Sequence, residues 1–282
     1  MIVMTPAGAM DLLHSERSLY RQVLIYQEGD LRYLCFTRNC SIGRQSSIDM
    51  KQPNRLVFDY AHMMMSSLLI APTPRDVLVI GLGGGSLPRA LTQTLPLAHL
   101  DVVEIDPAVV RVARQYFGFV PGPNTTIAEE DGRAFVKRML RTGKRYDLIM
   151  LDAYDHEYIP EHLLTREFLM EVKQLLQPGG VVAANTFSSS KLYDSESVTY
   201  RQVFGEFFNL KSANRVIIAR NAALPAVASL QQSSLGFQPT FSRLGFDIAE
   251  VMQRFSTAVD WNTSARVLTD QYSPANLLNT TR

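Results

Sequence analysis

Only two cysteines stand among the 282 residues, Cys35 and Cys40, too few for a disulfide-stapled scaffold or a cysteine-rich metal centre. A zinc site needs about four ligands, and no second Cys or His pair follows at suitable spacing. The short interval between the cysteines permits a disulfide, but so sparse a pair suits a reducing compartment, and they read as ordinary thiols. Charge of one sign is also lacking. The 28 Lys and Arg residues balance 27 Asp and Glu to a net +1, so no overall field draws in nucleic acid or an anionic membrane. The longest apolar run, residues 63–70, is far too short to cross a bilayer. No basic stretch followed by an apolar one opens the chain, and a cytoplasmic protein is the expectation.

The composition itself is ordinary: 46% hydrophobic and 20% charged residues, with enough length to bury a full core. The first dozen residues show no pattern and read as a loose tail. Residues 21–26 and 31–36 then read as a strand pair turned by Gln27-Glu28-Gly29-Asp30. Residues 60–70 suggest a helix closed by Ala71-Pro72-Thr73-Pro74. A small N-terminal β region over residues 1–58 and a larger domain over 59–282 follow from this change of rhythm.

From Asp76 onward, strand and helix alternate. Val77-Leu78-Val79-Ile80 is a solid apolar run of the kind buried on both faces of a parallel sheet, and a helix follows over residues 86–94. Further strands are expected at 100–104, 125–127, 146–152 and 181–185, the last after a Pro178-Gly179-Gly180 turn. Asp106-Pro107 opens the helix after the second strand as cap and first residue. Helices are read to about Arg141, over 165–176 and near 195–208, with a strand near 215–220; residues 221–242 stay unplaced. The fold class is therefore α/β: a Rossmann-like, methyltransferase-type, mostly parallel sheet with helices on both faces, preceded by short β-strands.

Ligands of such sheets bind at the carboxyl ends of the strands, where this chain places a glycine loop and three acids. Gly81-Leu82-Gly83-Gly84-Gly85 lets a ligand approach the backbone at a helix start, or is simply a tight turn. Glu104, at the end of the second strand, can accept both hydroxyls of a ribose. Asp131, with Gly132 after the third strand, can take the exocyclic amine of adenine. The loop reads GLGGGS rather than G-x-G-x-x-G, which favours an adenosyl-sulfonium ligand over a dinucleotide. Asp152 and Asp155 crowd the end of the fourth strand. In a chain of neutral balance they point to a cationic substrate, whose ammonium must lose a proton before it can attack carbon.

At these residues the sequence resembles the spermidine synthase family over residues 20–187. Val103-Glu104-Ile105-Asp106 is similar to its V-E-I-D and Glu130-Asp131-Gly132 to its G-D-G. Residues 146–152 resemble the strand that carries the catalytic aspartate, and Leu176-Gln177-Pro178-Gly179-Gly180 resembles L-x-P-G-G. The resemblance implies aminopropyl transfer from decarboxylated S-adenosylmethionine to a small polyamine, without metal. Asp152 would be the base, Asp155 an amine anchor and Tyr60 an orienting phenol. Gln22, Gly81, Gly83, Gly84, Glu104, Asp131 and Gly132 would contact the co-substrate. It also implies a homodimer, which would cover the exposed edges of the short strands.

Two departures bear on this expectation. The family loop G-G-G-D-G-G carries an aspartate where Gly84 stands here, and D-S-[ST]-D-P has become Asp152-Ala153-Tyr154-Asp155-His156. Together with Leu268-Thr269-Asp270-Gln271-Tyr272-Ser273-Pro274 near the end, they match a divergent branch carrying GLGGGSL and L-T-D-x-Y-x-P. A methyltransferase using intact S-adenosylmethionine, and a ligand-binding relative without chemistry, remain the alternatives.

Overall fold

Residues 10–153 and 160–274 are described by the computed structural model; the start of the expected tail and Asp155 lie outside them. β1 (Asp11–Arg17), β2 (Gln22–Glu28), β3 (Leu31–Cys35) and β4 (Arg44–Asp49) form a four-stranded antiparallel sheet in chain order. The hairpin expected between β2 and β3 is present, with Gly29 at φ +59 in its turn. The tail was expected to run through Leu12, but Asp11–Arg17 pairs with β2 from Asp11↔Gln27 to Arg17↔Gln22. Its residues are largely exposed, so backbone pairing rather than burial holds this edge strand, and no apolar pattern announces it.

A second correction concerns the cysteines. Cys35 and Cys40 are joined as a disulfide, because the loop after β3 doubles back and brings their Cα atoms to 5.5 Å. Both are buried beside Leu24 and Tyr33.

α1 (Asp59–Met65) runs into a 3₁₀ turn over Ser66–Leu69 and leads to the larger sheet. In chain order follow β5 (Asp76–Ile80), α2 (Ser86–Thr94), β6 (His99–Val103), α3 (Pro107–Phe117), β7 (Thr125–Ala128), α4 (Gly132–Thr142) and β8 (Tyr146–Leu151). Then come α5 (Arg166–Leu175), β9 (Leu176–Phe187), α6 (Tyr193–Phe204), β10 (Phe207–Lys211), β11 (Asn214–Arg220), α7 (Val227–Arg243) and α8 (Ile248–Met252). The seven strands are ordered β10-β11-β9-β8-β5-β6-β7. β5 to β9 run parallel, and β10 and β11 close one side antiparallel.

The period of two along each strand sends alternate residues to opposite cores. Val77 and Val79 pack with α1, α2, α7 and α8 on one face. Leu78 and Ile80 pack with α4, α5 and α6 on the other. The small sheet seats Val23, Ile25, Leu34 and Ile48 on Val109, Val112 and Phe117 of α3, which bridges the two sheets. Asp106 caps α3 by accepting from the Ala108 amide at 2.9 Å, as its sequence signal required.

Three boundaries differ from expectation. The helix read to residue 208 stops at Phe204, where Gly205 at φ +80 reverses the chain into β10. The Pro178-Gly179-Gly180 turn lies within β9, absorbed by a register slip against β8 between Tyr146 and Leu148. Most of the unplaced stretch forms α7, which buries Leu230 and Phe241 in the first core. Among the described residues, no helix is long and apolar enough to cross a membrane.

Candidate active site

The parallel ladder brings the strand-end residues to one edge. Gly81 donates its amide to Val103 O at 2.8 Å, Asp152 to Ile80 O at 2.8 Å, and Glu104 to Ala128 O at 3.0 Å. At this edge, where β6 and β8 flank β5 on opposite sides, opens a cleft of about 850 Å³. From the small-sheet side it is lined by Arg21, Phe36 and Arg44.

The glycine loop turns tightly under the cleft. Gly81 has φ +105, and a Cβ there would lie 2.2 Å from the carbonyl oxygen of Asp152, so only glycine lets the ends of β5 and β8 meet. Glu104 holds the loop in place. Its Oε2 accepts from the Leu82 amide at 3.1 Å and its Oε1 from the Asp106 amide at 3.0 Å. Burial raises the proton affinity of Glu104, while those two amides oppose the rise. Gly132 sits close against β5: a Cβ would come 2.6 Å from Ile80 Cγ2.

Asp131 caps α4. Its Oδ1 accepts from the Ala134 amide at 2.9 Å and its Oδ2 from His162 Nε2 at 2.7 Å. The His162 bond is the largest influence holding this carboxyl below its usual range. His162 also lines the cleft, so an acid and an imidazole form one corner of the cavity.

Asp152 sits between two side chains from distant elements. Asn185, near the carboxyl end of β9, donates Nδ2 to Asp152 Oδ1 at 2.9 Å. Tyr60 of α1 donates its hydroxyl to Oδ2 at 3.2 Å. Asn214, at the start of β11, donates to Asn185 Oδ1 at 3.2 Å and fixes that amide's orientation. Burial pushes Asp152 up to about 7 against the lowering effect of both hydrogen bonds. The Tyr60 phenol is pushed well up by burial and by the Asp152 charge, so it stays protonated as a donor.

Tyr60, Gly81, Gly83, Glu104, Asp131, Gly132 and Asp152 thus share one cavity. Gln22 is not among the residues lining it. Gln22 Nε2 lies 3.4 Å from Ser15 Oγ in the small sheet, and its neighbour Arg21 lines the cleft instead. Gly84 does not line it either. It lies behind the loop, where a Cβ would come 2.8 Å from both Phe117 Cδ1 and Ser46 Oγ. The sequence reading passed over Asn185, although it closes the strand expected at 181–185 and the strand-end rule covers it. His162 and Asn214 carried no local signal.

Residues 57–219 match the model of the spermine/spermidine synthase domain. A polyamine aminopropyltransferase of Vibrio vulnificus is 45% identical over 277 residues, covering 96% of this chain and 92% of that protein. A probable spermidine synthase from Corynebacterium glutamicum is similar in fold, with TM-score 0.67 at 18% identity over 90% of this chain and 98% of that one. Human methyltransferase-like protein 13, solved in complex with SAH, shares the fold at TM-score 0.57 and 24% identity, over 72% of this chain and 96% of that one.

Proposed function

The chain belongs to the spermine/spermidine synthase family, and from that premise we propose that it moves an aminopropyl group from decarboxylated S-adenosylmethionine to a polyamine nitrogen. The observation that carries this reading is Asp152, a buried carboxyl pushed up to about 7 just beyond β8 and lining the cleft. The co-substrate, when bound, supplies a carbon activated by its sulfonium. Everything else falls to the residues of the chain.

An alkyl ammonium gives up its proton only near pH 10, so at neutral pH the acceptor arrives charged and unreactive. A carboxylate poised near neutrality both attracts that ammonium and takes its proton, which general-base catalysis makes worth about 10²–10⁴ in rate. Asn185 and Tyr60 hold the two carboxylate oxygens from opposite sides, so the base meets the amine in one orientation. Glu104 and Asp131 are suited to the ribose hydroxyls and the adenine amine, and the loop glycines let the nucleoside lie against backbone. Asp155, outside the described residues, is carried as the amine anchor on the family resemblance alone.

One observation favours the second reading, a methyltransferase acting with intact S-adenosylmethionine. Two guanidinium side chains, Arg21 and Arg44, line the cleft, and a guanidinium suits the carboxylate tail that the intact co-substrate carries. A mass-spectrometric assay separates the readings. Decarboxylated or intact S-adenosylmethionine is supplied with mixed diamines and polyamines. Methylthioadenosine with a new aminopropylated amine, reduced about 10²–10⁴-fold in Asp152→Asn, is the expected outcome. S-adenosylhomocysteine would move the chain to the second reading, and no product despite tight binding of either donor would point to a ligand-binding role or to an acceptor outside the mixture.

A further inference from the structure

The late segment Leu268-Thr269-Asp270-Gln271-Tyr272 takes no part in the chemistry above, yet it binds the wall of the cleft at several points. Asp270 accepts a forked pair from Arg133, Nη1 to Oδ1 at 2.6 Å and Nη2 to Oδ2 at 2.8 Å. Its Oδ1 also accepts from Thr165 Oγ1 at 2.6 Å, and its amide donates to Glu167 Oε2 at 3.0 Å. Arg166 donates its amide to Leu268 O at 2.8 Å, and Ser273 Oγ donates to Glu161 O at 3.0 Å. Leu268 is fully buried against Leu164 and Leu192.

These contacts converge on a corner that faces the ligand. The strapped stretch from Glu161 to Arg166 carries His162 and Leu163, both of which line the cleft. Arg133 lies in the first turn of α4, two residues beyond Asp131, and donates Nη1 to the His162 carbonyl at 3.4 Å. Asp270 therefore grips both sides of the Asp131–His162 contact: α4 through Arg133, and the wall through Thr165. It does so from an exposed position, adding almost nothing to the core. Bidentate pairing to a guanidinium fixes direction as well as distance, which a positioning contact needs.

We propose that Asp270 is a positioning residue for the nucleoside, holding Asp131 and His162 at the spacing the adenine corner requires. This rests on the reading of Asp131 as an adenine contact. The test is calorimetric titration of methylthioadenosine into the full chain and into Asp270→Asn, with steady-state kinetics alongside. The variant keeps an acceptor for Thr165 but breaks the fork. Its Kd for methylthioadenosine and its KM for the sulfonium donor are expected to rise about tenfold, with kcat and the amine KM within about twofold. An unchanged Kd would overturn the proposal, as would a fall in kcat with no change in either KM. If Asp270→Asn does not fold, Arg133→Lys keeps the charge but loses the forks to both Asp270 and Glu171, and it is expected to show the same split, with Glu171→Gln, which spares the Asp270 fork, showing none. A native chain that binds no methylthioadenosine would instead overturn the nucleoside reading itself, and this proposal with it.

Discussion

At Asp152 two opposing influences meet: burial favours the neutral acid, and the Asn185 and Tyr60 hydrogen bonds favour the anion. Burial wins, which places ionisation at about 7 rather than at the ordinary value of about 4. For catalysis, kcat/KM should climb with pH and level off above about 7. For stability the sign is opposite. Between about 4 and about 7 the folded chain holds a proton that the unfolded chain has released, so this carboxyl lowers stability as pH rises through that window. The Asp152→Asn variant should therefore melt about 7 °C above the native chain at pH 8 and level with it near pH 4. Glu196, also buried and pushed up to about 7, cancels in that comparison because both proteins retain it. A melting difference that did not vary with pH would contradict the burial account.

The glycine loop is decisive among the elements because β5 ends against the backbone of β8. At Gly81 the obstacle to a side chain is the carbonyl of Asp152, which cannot swing aside as a flexible side chain would. Gly81→Ala should cost more than about 3 kcal/mol, combining a strained positive φ with a backbone collision next to the base. Gly118, which closes α3 at φ +60 with open space around it, provides the comparison. Gly118→Ala should cost only about 1 kcal/mol. Urea denaturation of both variants measures the difference, and near-equal losses would show that φ alone, not the close approach of β5 and β8, governs the loop.

For the whole molecule, β1 is the outermost strand of the small sheet, with no further strand beside it among the described residues. β1 is long enough to pair, and its Leu12 and Leu13 are exposed. An edge of this kind invites a second copy of the chain, in line with the dimer expected from the sequence. Light scattering should give a mass of about twice the chain's 31.7 kDa, and Leu13→Lys should shift it toward one chain. A native mass near 31.7 kDa would remove the edge from consideration.

By itself the sequence determined what is local or periodic. The apolar run before the glycine loop, the Asp106-Pro107 cap and the strand-helix alternation each depend on neighbours within a few residues. They were legible, and with them the parallel sheet and the cluster of Gly81, Glu104, Asp131 and Asp152 at its edge. Only the tertiary structure decided the rest. Tyr60 reaches Asp152 from 92 residues away, and Asp270 reaches Arg133 across 137. Arg215 is fully buried beside Glu196 and bonded to Asn209 and Ser197, although nothing in its sequence neighbourhood marks it as a core residue. Two local features escaped for other reasons: the mostly exposed β1 carries no apolar alternation, and the Cys35–Cys40 spacing suits free thiols as well as a bond. The long-range contacts depend on which surfaces meet once the sheets pack, and an interaction across a hundred residues leaves no periodicity in the chain to read.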